Sequence, residues 1–424
     1  MVNTWVSSHP TLEPAAAPYT CHNARVGLVD PPPNIAYMPS CRRATSLPAY
    51  RHSLSLQSPL SIMGQLMSHP IEDKNVECHS HESLTYSIGS MQGYRMSMED
   101  AHCVKIDEHE RVGVFGVFDG HGGKECANVV CERLPSMIFK KISALLDDKN
   151  VLDANSNEDA KKEENGEKVD GNANNILKDS KLNKLRSSAM DVIRNCFFRV
   201  DHELEAYHDA ANCGTTAIVA TVLAGKYVIV ANTGDSRCIM SVNGAAKTLS
   251  FDHKPSTMGE RVRIENSGGY VVCGRVNEVL ALSRAFGDFK FKTPYVDGDT
   301  NQIYARNKKY WKNGVVHLPP ELLSVSVEPD ILVYDLSKLT APEFMVLACD
   351  GIWDCYTNDQ LLKAIRSKLA ESWNLRHITE YILNECISMA SSATGIGFDN
   401  MTLVIVALHP TETIDEWYQR MKSP

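Results

Sequence analysis

One short stretch of this chain, Val117-Phe118-Asp119-Gly120-His121-Gly122-Gly123, constrains the fold more than any other. The apolar residues that lead into it, Val112–Phe118, predict a half-buried β-strand that stops at a carboxylate. The glycines that follow permit a tight turn, because they have no Cβ atom to clash with the backbone. We therefore expect Asp119 to lie at the end of a strand, with its side chain facing solvent.

Two further apolar runs, far along the chain, also end or begin at aspartate. Residues 344–349 lead into Asp350-Gly351, and Asp399-Asn400 precedes the apolar residues 401–408. Strands arranged in this way could bring hard oxygen ligands together around Mg²⁺ or Mn²⁺. Each aspartate taken alone is more typical of a turn or a cap, because Asp favours strand ends and loops. Spacing alone does not decide between a metal site and three separate turns.

The overall charge and the cysteines restrict the class of protein. The chain has a formal net charge of -9 and no long Lys/Arg cluster, which argues against a nucleic-acid partner. The 13 cysteines include no Cys-x-x-Cys pair, so neither a disulfide framework nor a structural zinc site is indicated. The most apolar stretch, residues 217–231, is interrupted by Gly225-Lys226, so we expect no transmembrane segment. These features predict a reducing compartment, the cytoplasm and/or the nucleus.

Residues 1–62 differ in composition from the rest of the chain. They are rich in Pro and Ser, have only Glu13 and Asp30 as acidic residues, and show no sustained helical or strand period. This composition predicts disorder, and we expect the disordered extension to reach residue 82, before a folded domain at 83–409 and a short tail at 410–424. A transit peptide is the alternative, since acidic residues are few, but the prolines oppose an amphipathic helix.

A lipidation pattern lies within this extension. Met63-Gly64-Gln65-Leu66-Met67-Ser68 matches the N-myristoylation pattern, which requires a glycine at the amino terminus. Gly64 is internal in this numbering and cannot be acylated unless translation begins at Met63. In that case a single acyl chain would give weak, reversible membrane association.

The folded part of the chain predicts both helices and antiparallel strands. Apolar residues at helical spacing indicate a helix over residues 124–146, which Pro135 should kink or break. Two β-rich runs, 215–223 and 227–233, are joined by Ala224-Gly225-Lys226 and indicate a hairpin. Further strands are predicted at 84–88, 237–242, 270–273, 279–282, 325–327 and 331–334, and a capping box at Thr357-Asn358-Asp359-Gln360 predicts a helix start. Consecutive hairpins with grouped helices are typical of antiparallel sheets that carry helices on their faces.

Two polar segments interrupt this pattern. From Asp147 to Asp170 there are nine acidic residues and four lysines, and we interpret residues 147–183 as a solvated surface insertion. Residues 293–323 are irregular and polar and predict a long loop. Neither segment contributes to the motifs described next.

Several short motifs follow one another along residues 83–409. They are Arg95-x-x-x-Glu99-Asp100, Asp119-Gly120-His121-Gly122-Gly123, Gly214-Thr215-Thr216-Ala217, Asn232-Thr233-Gly234-Asp235-Ser236-Arg237, Asp252-His253-Lys254-Pro255, Ser283-Arg284-Ala285-Phe286-Gly287-Asp288, Cys349-Asp350-Gly351-Ile352-Trp353-Asp354 and Asp399-Asn400-Met401-Thr402. Their order resembles that of the type 2C metal-dependent serine/threonine protein phosphatases (the PPM family). The tail, with Asp415-Glu416-Trp417-Tyr418, resembles the ending of fungal members.

The resemblance implies an α+β fold, a sandwich of two antiparallel β-sheets flanked by α-helices. It also implies two Mg²⁺ or Mn²⁺ ions in a cleft at one end of the sandwich. Asp119 would bridge the two ions, with Glu99 and the backbone carbonyl of Gly120 on one ion and Asp350 and Asp399 on the other.

The resemblance assigns roles to other residues as well. Asp235 and Asp350 would bind a third, weaker ion, and Asp100 would orient the ligands from a second layer. Arg95 would hold the phosphate, and His121 would protonate the leaving oxygen. Three further motif residues are interpreted as structural: Thr216, Arg237 and Arg284.

The chemistry of these residue types agrees with the implied roles. Two ions can lower the pKa of a bridging water enough to supply hydroxide near neutral pH, and they can clamp an in-line displacement at phosphorus. The planar fork of arginine donates to two phosphate oxygens and keeps its charge. A histidine can give up a proton near pH 7, although His121 could also be a simple turn residue.

The resemblance therefore implies a phosphatase that acts on phosphoserine and phosphothreonine in proteins, and we expect it to be a monomer. A cysteine-dependent phosphatase is argued against, because no cysteine is followed by Arg at the sixth position. A phosphodiesterase or nuclease that uses the same metals is disfavoured by the acidic charge. The alternative from another class is an inactive scaffold that binds phosphoproteins; loss of a metal carboxylate would indicate it, and all of them are present.

Overall fold

Two antiparallel β-sheets form the centre of the structure, a computed structural model that describes residues 66–147, 171–293 and 306–422. In these ranges the strands are β1 (Leu66–Ser80), β2 (Leu84–Arg95), β3 (Ala101–Ile106), β4 (Val112–Phe118), β5 (Gly120–His121), β6 (Gly214–Thr215), β7 (Ala217–Leu223), β8 (Tyr227–Thr233), β9 (Arg237–Val242), β10 (Ala245–Thr248), β11 (Val271–Val272), β12 (Arg275–Val276), β13 (Phe286–Gly287), β14 (Trp311–Lys312), β15 (Val315–Val316), β16 (Asp330–Asp335), β17 (Pro342–Ala348) and β18 (Met401–Leu408). The helices are α1 (Glu125–Asp147), α2 (Gly171–Leu204), α3 (Met258–Asn266), α4 (Asp350–Trp353), α5 (Asn358–Ala370), α6 (Leu375–Ser388) and α7 (Ile414–Met421).

The sheets differ in strand order and size. One has six strands in the order β1-β2-β18-β17-β9-β10, and the other has five in the order β16-β8-β7-β4-β3. A short ribbon, β13-β6-β5, lies at the end of the sandwich where the predicted site residues collect. All paired strands in these sheets are antiparallel, so the predicted α+β sandwich is confirmed.

Strand β4 shows how the layers pack. Phe115 and Val117 belong to the core between the two sheets, whereas Val112, Val114 and Phe118 belong to the core formed with α1 and α2. Alternate side chains of a strand point to opposite faces, so β4 is buried on both sides. The prediction that this strand is half-buried was therefore wrong. The six-stranded sheet carries α5, α6 and α7 on its outer face, which completes a four-layer sandwich.

Helix α1 continues past Pro135 without a break. Its buried side chains, among them Val130, Leu134 and Ile138, recur at helical spacing on the face toward the five-stranded sheet. Packing of this apolar face supplies most of the stability of such a helix, and the helix therefore persists where the sequence predicts a kink or break.

Strand β1 corrects the predicted amino-terminal boundary. Residues 66–80 pair with β2 at the edge of the six-stranded sheet, so the folded region begins before Ser83 and these residues are not a disordered extension. Along β1 only the side chain of Val76 is buried. Because main-chain hydrogen bonds hold the strand and its side chains are mostly exposed, its sequence shows no apolar alternation.

Several other predictions need adjustment. Residues 171–183, placed in the surface insertion, form the first part of α2. Within the predicted loop at 293–323, β14 and β15 form a small hairpin. The predicted strands at 279–282 and 325–327 are reduced to isolated bridges at Leu280 and Ser326.

Some predictions fall outside the described residues. These are the disorder of residues 1–62, the myristoylation pattern at Gly64, most of the acidic insertion and residues 294–305 of the long loop. Among the residues that the structure does describe, no helix combines the length and apolar character that a bilayer crossing requires.

Candidate metal centre

The candidate site lies where strands of both sheets end together. β4 ends just before Asp119, β8 ends at Thr233 shortly before Asp235, and β17 ends at Ala348 shortly before Asp350. Although the three aspartates are far apart in sequence, one carboxylate oxygen from each lies within 4.8 Å of the others. Hard oxygen donors at this separation fit a shared Mg²⁺ or Mn²⁺ ion.

These aspartates open into a cleft of about 490 Å³. Its wall includes His121, the predicted proton donor, and every residue predicted to bind metal or phosphate: Arg95, Glu99, Asp119, Gly120, Asp235, Asp350 and Asp399. The remaining predicted residue, Asp100, is not part of the wall and accepts a hydrogen bond from Thr402 Oγ1 over 2.7 Å.

The main chain of Asp119 is fixed by two threonines that precede β7, Thr215 at the end of β6 and Thr216 after it. The carbonyl of Asp119 accepts from the backbone N–H of Thr216 over 2.8 Å and from Oγ1 of Thr215 over 3.0 Å. Its own N–H donates to Thr216 Oγ1 over 3.1 Å. Because these bonds use only main-chain atoms of Asp119, its carboxylate is left for the cleft. The structural role predicted for Thr216 agrees with these contacts.

The turn that carries Asp235 is held by His253 and Lys254, which belong to the next motif along the chain. His253 accepts from the N–H of Gly234 at Nδ1 over 3.1 Å, and its backbone N–H donates to the Gly234 carbonyl over 3.0 Å. Lys254 Nζ forms an ion pair with the Asp235 carboxylate. The sequence placed His253 and Lys254 in a motif but gave neither of them a role.

The structural roles predicted for two arginines agree with their contacts. Arg237 makes a bidentate pair with Asp252, from Nε to Oδ1 over 2.7 Å and from Nη2 to Oδ2 over 2.9 Å. Arg284 donates to Glu260 over 2.8 Å and to Asp330 over 2.9 Å. Arg237 in β9 thus holds the segment that follows β10, and Arg284, which lies in that segment, ties it to β16.

A side-chain amide organises the opposite wall. Asn400 Oδ1 accepts from the N–H of Glu99 over 2.9 Å, while its Nδ2 donates to the carbonyls of Gln92 and Ser97 over 2.8 and 3.0 Å. A Cβ atom on Gly351 would overlap the Asn400 carbonyl, so α4 can start beside Asn400 only with glycine there. Asn400 therefore ties the start of β18 to the Glu99 segment, a role that sequence reasoning missed.

The carboxylate of Glu99 is oriented toward the turn after Asp119. Its Oε2 accepts from the N–H of Gly123 over 3.0 Å, and its Oε1 accepts from Ser97 Oγ over 2.8 Å. A Cβ atom on Gly120 would lie closer than 3.0 Å to the carbonyl of Glu99. Glycine at this position thus allows the two backbones to approach each other at the cleft.

The electrostatics of the acidic residues favour a bound cation. Burial raises the pKa of Asp119 well above its usual value, and the negative charge of Asp350 raises it further. The pKa of Asp350 is likewise raised, first by burial and then by Asp235. Burial also raises the pKa of Asp399, although Arg95 opposes this. Buried carboxylates that repel one another are stabilised as anions by a divalent ion.

His121 has a partner that the sequence did not predict. Its Nε2 lies 2.7 Å from Oδ2 of Asp288, whose side chain is only 3% exposed. Asp288 is the last residue of the motif Ser283–Asp288, and its place in that motif is the sequence signal that could have pointed to it.

Comparison with known proteins agrees with this geometry. The family model for "Protein phosphatase 2C" matches residues 84–395. "Protein phosphatase 2C homolog 4" of Saccharomyces cerevisiae is 36% identical over 408 residues, which cover 85% of this chain and 98% of that protein. "Protein phosphatase 2C homolog 3" of Schizosaccharomyces pombe is 34% identical, covering 85% of this chain and 73% of that protein.

A solved structure shows the same fold. A phosphatase from Toxoplasma gondii is similar with a TM-score of 0.56 at 21% sequence identity, over 80% of this chain and 97% of that chain. The ordered motifs, the antiparallel sandwich and the match over most of the chain agree, and they show that this chain belongs to the protein phosphatase 2C family.

Proposed function

We propose that this chain hydrolyses phosphoserine and phosphothreonine in proteins with two Mg²⁺ or Mn²⁺ ions bound in the cleft. The observation that carries the proposal is the approach of the Asp119, Asp235 and Asp350 carboxylates to within 4.8 Å in a cleft that also presents Arg95 and His121. Membership of the protein phosphatase 2C family supports the reaction class.

The residues that would hold the two ions fall into two sets, one for each ion. Asp119, Glu99 and the backbone carbonyl of Gly120 would hold one ion, and Asp119, Asp350 and Asp399 would hold the other. When bound, the ions would supply positive charge to the phosphate and lower the pKa of water toward neutrality. Asp235 and Asp350 would hold a third, weaker ion.

Side chains of the protein would bind the substrate and move the proton. Arg95 reaches the cleft from the end of β2, and its planar guanidinium suits two phosphate oxygens at once. His121, on the facing wall, would give a proton to the departing serine or threonine oxygen. The proposal requires no covalent enzyme nucleophile. In this reading Asp100 keeps Thr402 and the start of β18 in place through its 2.7 Å hydrogen bond.

Hydrolysis of a phosphothreonine peptide by the full chain tests the proposal, with Mn²⁺ or Mg²⁺ and again with excess EDTA. We expect phosphate release that depends on the metal and is abolished in Asp119→Asn and Asp350→Asn. Asp335→Asn is the matched control. Asp335 pairs with the first residue of β8, whereas the cleft lies beyond the last residue of that strand.

Three results would contradict the proposal. Full activity of Asp119→Asn or Asp350→Asn would rule out the metal assignment. No phosphate release by folded wild-type protein with either metal would favour the phosphoprotein-binding scaffold instead. Cleavage of bis(p-nitrophenyl) phosphate without cleavage of the phosphopeptide would point to a phosphodiesterase.

A further inference from the structure

We propose that Asp288 is a positioning residue for His121. In this proposal the Asp288 carboxylate accepts a hydrogen bond from Nε2–H of His121. The proton given to the leaving oxygen therefore departs from Nδ1. The inference deepens the proposed function and rests on the acid role of His121. The sequence motifs by themselves assign no role to Asp288.

The contact itself is short and shielded. Nε2 of His121 lies 2.7 Å from Oδ2 of Asp288, and the two side chains are 31% and 3% exposed, respectively. A carboxylate is only an acceptor, so Nε2 must carry the hydrogen in this pair. In a neutral ring this fixes the Nε2–H tautomer and leaves Nδ1 unprotonated. Nδ1 is then the nitrogen that can exchange a proton with the cleft.

A three-stranded ribbon brings the two residues together across 167 positions of sequence. His121 in β5 pairs with Gly214 in β6, and Gly287 in β13 pairs with Gly214 from the other side. Asp288 directly follows β13, so its side chain reaches across the central strand to His121. The ribbon therefore specifies this pair, which local sequence patterns do not reveal.

Gly214 makes room for the contact. A Cβ atom at this position would lie within 3.0 Å of both Oδ2 of Asp288 and Nε2 of His121. Any side chain at residue 214 would thus occupy the space of the hydrogen bond. Glycine is required here by the contact and not by the backbone angles, since Gly214 is absent from the residues with positive φ among those described.

The backbone of Asp288 is held in an unusual conformation by buried contacts. Its φ and ψ are 51° and 36°, in the left-handed region, and its N–H donates to the carbonyl of Cys213 over 3.0 Å. The N–H of Gly287 donates to Asp201 Oδ1 over 2.9 Å, and Lys292 Nζ donates to both oxygens of Asp201 over 2.9 and 2.8 Å. A non-glycine residue in this region is strained and persists where its surroundings determine it. The anchoring to α2 keeps the carboxylate preorganised.

The proton transfer can be written with all atoms accounted for. Water adds its oxygen to phosphorus and releases one proton to the solvent, and the bond from phosphorus to the serine or threonine Oγ breaks with its electron pair on Oγ. The Nδ1–H bond of the imidazolium breaks at the same time, and that proton joins Oγ. The products are the alcohol, inorganic phosphate and a neutral His121 that still donates from Nε2 to Asp288.

The first test reads the tautomer directly. In the full chain labelled with ¹⁵N-histidine, the signals of His121 are identified by their loss in His121→Gln. We expect neutral His121 to be the Nε2–H tautomer in the wild type and to become a tautomer mixture in Asp288→Gly. Glycine is chosen because it accepts the left-handed backbone. A neutral wild-type ring with its hydrogen on Nδ1 would overturn the proposal.

The second test is kinetic. We expect Asp288→Gly to lower kcat for a phosphothreonine peptide about tenfold or more at little changed KM, since general acid help is worth about 10² to 10⁴ in rate. The loss should be much smaller with p-nitrophenyl phosphate, whose leaving group needs no proton. Asp288→Asn, which keeps an acceptor and tolerates the backbone, should recover part of the loss.

A double-mutant cycle separates positioning from folding. In a His121→Ala background, Asp288→Gly should cost little further activity, because its only route of action is gone. An equal loss in both backgrounds, or with both substrates, would show a structural role only and overturn the proposal. If the wild type releases no phosphate at all, the proposed function fails, while the tautomer measurement still decides whether Asp288 positions His121.

Discussion

The guanidinium of Arg95 donates from Nη2 to Oδ2 of Asp399 over 2.5 Å, and this ion pair joins the end of β2 to the turn before β18. One partner is proposed to bind phosphate and the other to bind metal. Their contact places the phosphate-binding group directly beside the metal ligands.

Replacement of Arg95 by Lys should therefore weaken substrate binding. Lysine keeps the positive charge but loses the planar fork that donates to two oxygens. We expect KM for a phosphothreonine peptide to rise about tenfold, since a lost charge-assisted hydrogen bond is worth roughly 1.5–3 kcal/mol. Arg376→Lys on the exposed face of α6 is the control, because Arg376 forms an exposed ion pair with Glu380 and does not line the cleft. An unchanged KM would contradict the role of Arg95.

Stability in EDTA should fall as the pH rises from about 4 to about 7. Burial raises the pKa of Asp100 from 3.8 to about 7 and raises those of Asp119 and Asp350 as well. The folded state then binds more protons than the unfolded state in this window, so the free energy of unfolding decreases with pH. Denaturant unfolding across this range measures the slope.

Two changes should reduce that slope. Asp350→Asn removes one of the repelling charges, and saturating Mg²⁺ binds the ionised carboxylates. If Asp350→Asn leaves the slope in EDTA unchanged, and if saturating Mg²⁺ in place of EDTA leaves it unchanged as well, these aspartates do not cause the pH dependence.

Lys254→Met should tighten the binding of a divalent ion near Asp235. The ammonium of Lys254 is paired with the Asp235 carboxylate, so it competes with a cation for the same oxygen atoms. Methionine has a similar length without the charge. We expect Mn²⁺ titration calorimetry to show a dissociation constant for the weakest site several-fold lower than in the wild type. Lys338→Met, at a highly exposed lysine, is the control, and unchanged or weaker binding in Lys254→Met would refute the expectation.

Trp417→Ala should destabilise the fold without changing the chemistry. Trp417 in α7 is completely buried, and its Nε1 donates to the carbonyl of Glu343 over 2.9 Å. Loss of a buried Trp costs about 3–5 kcal/mol. Tyr418→Phe removes only the hydrogen bond from the N–H of Leu375, worth about 1 kcal/mol. Equal losses in urea unfolding would show that the tail is not part of the core.

Local signals in the sequence were sufficient for part of the structure. The capping box of Thr357 and Gln360 is present at the start of α5, and the hairpin of β7 and β8 lies where the sequence predicts it. Such features depend on residues close together in the chain, so their signals are contained in a short window. The ordered motifs also identified the family and the aspartates that reach the cleft.

Other features depend on contacts between distant segments. The exposed side chains of β1 show no strand period, and its pairing with β2 decides its conformation.

The position of Asp288 beside His121 depends in the same way on the ribbon through Gly214. The sequence by itself determined the family and the identity of the acidic residues. Only the tertiary structure decided which side chains orient them, because those contacts form when strands from both sheets end at one place.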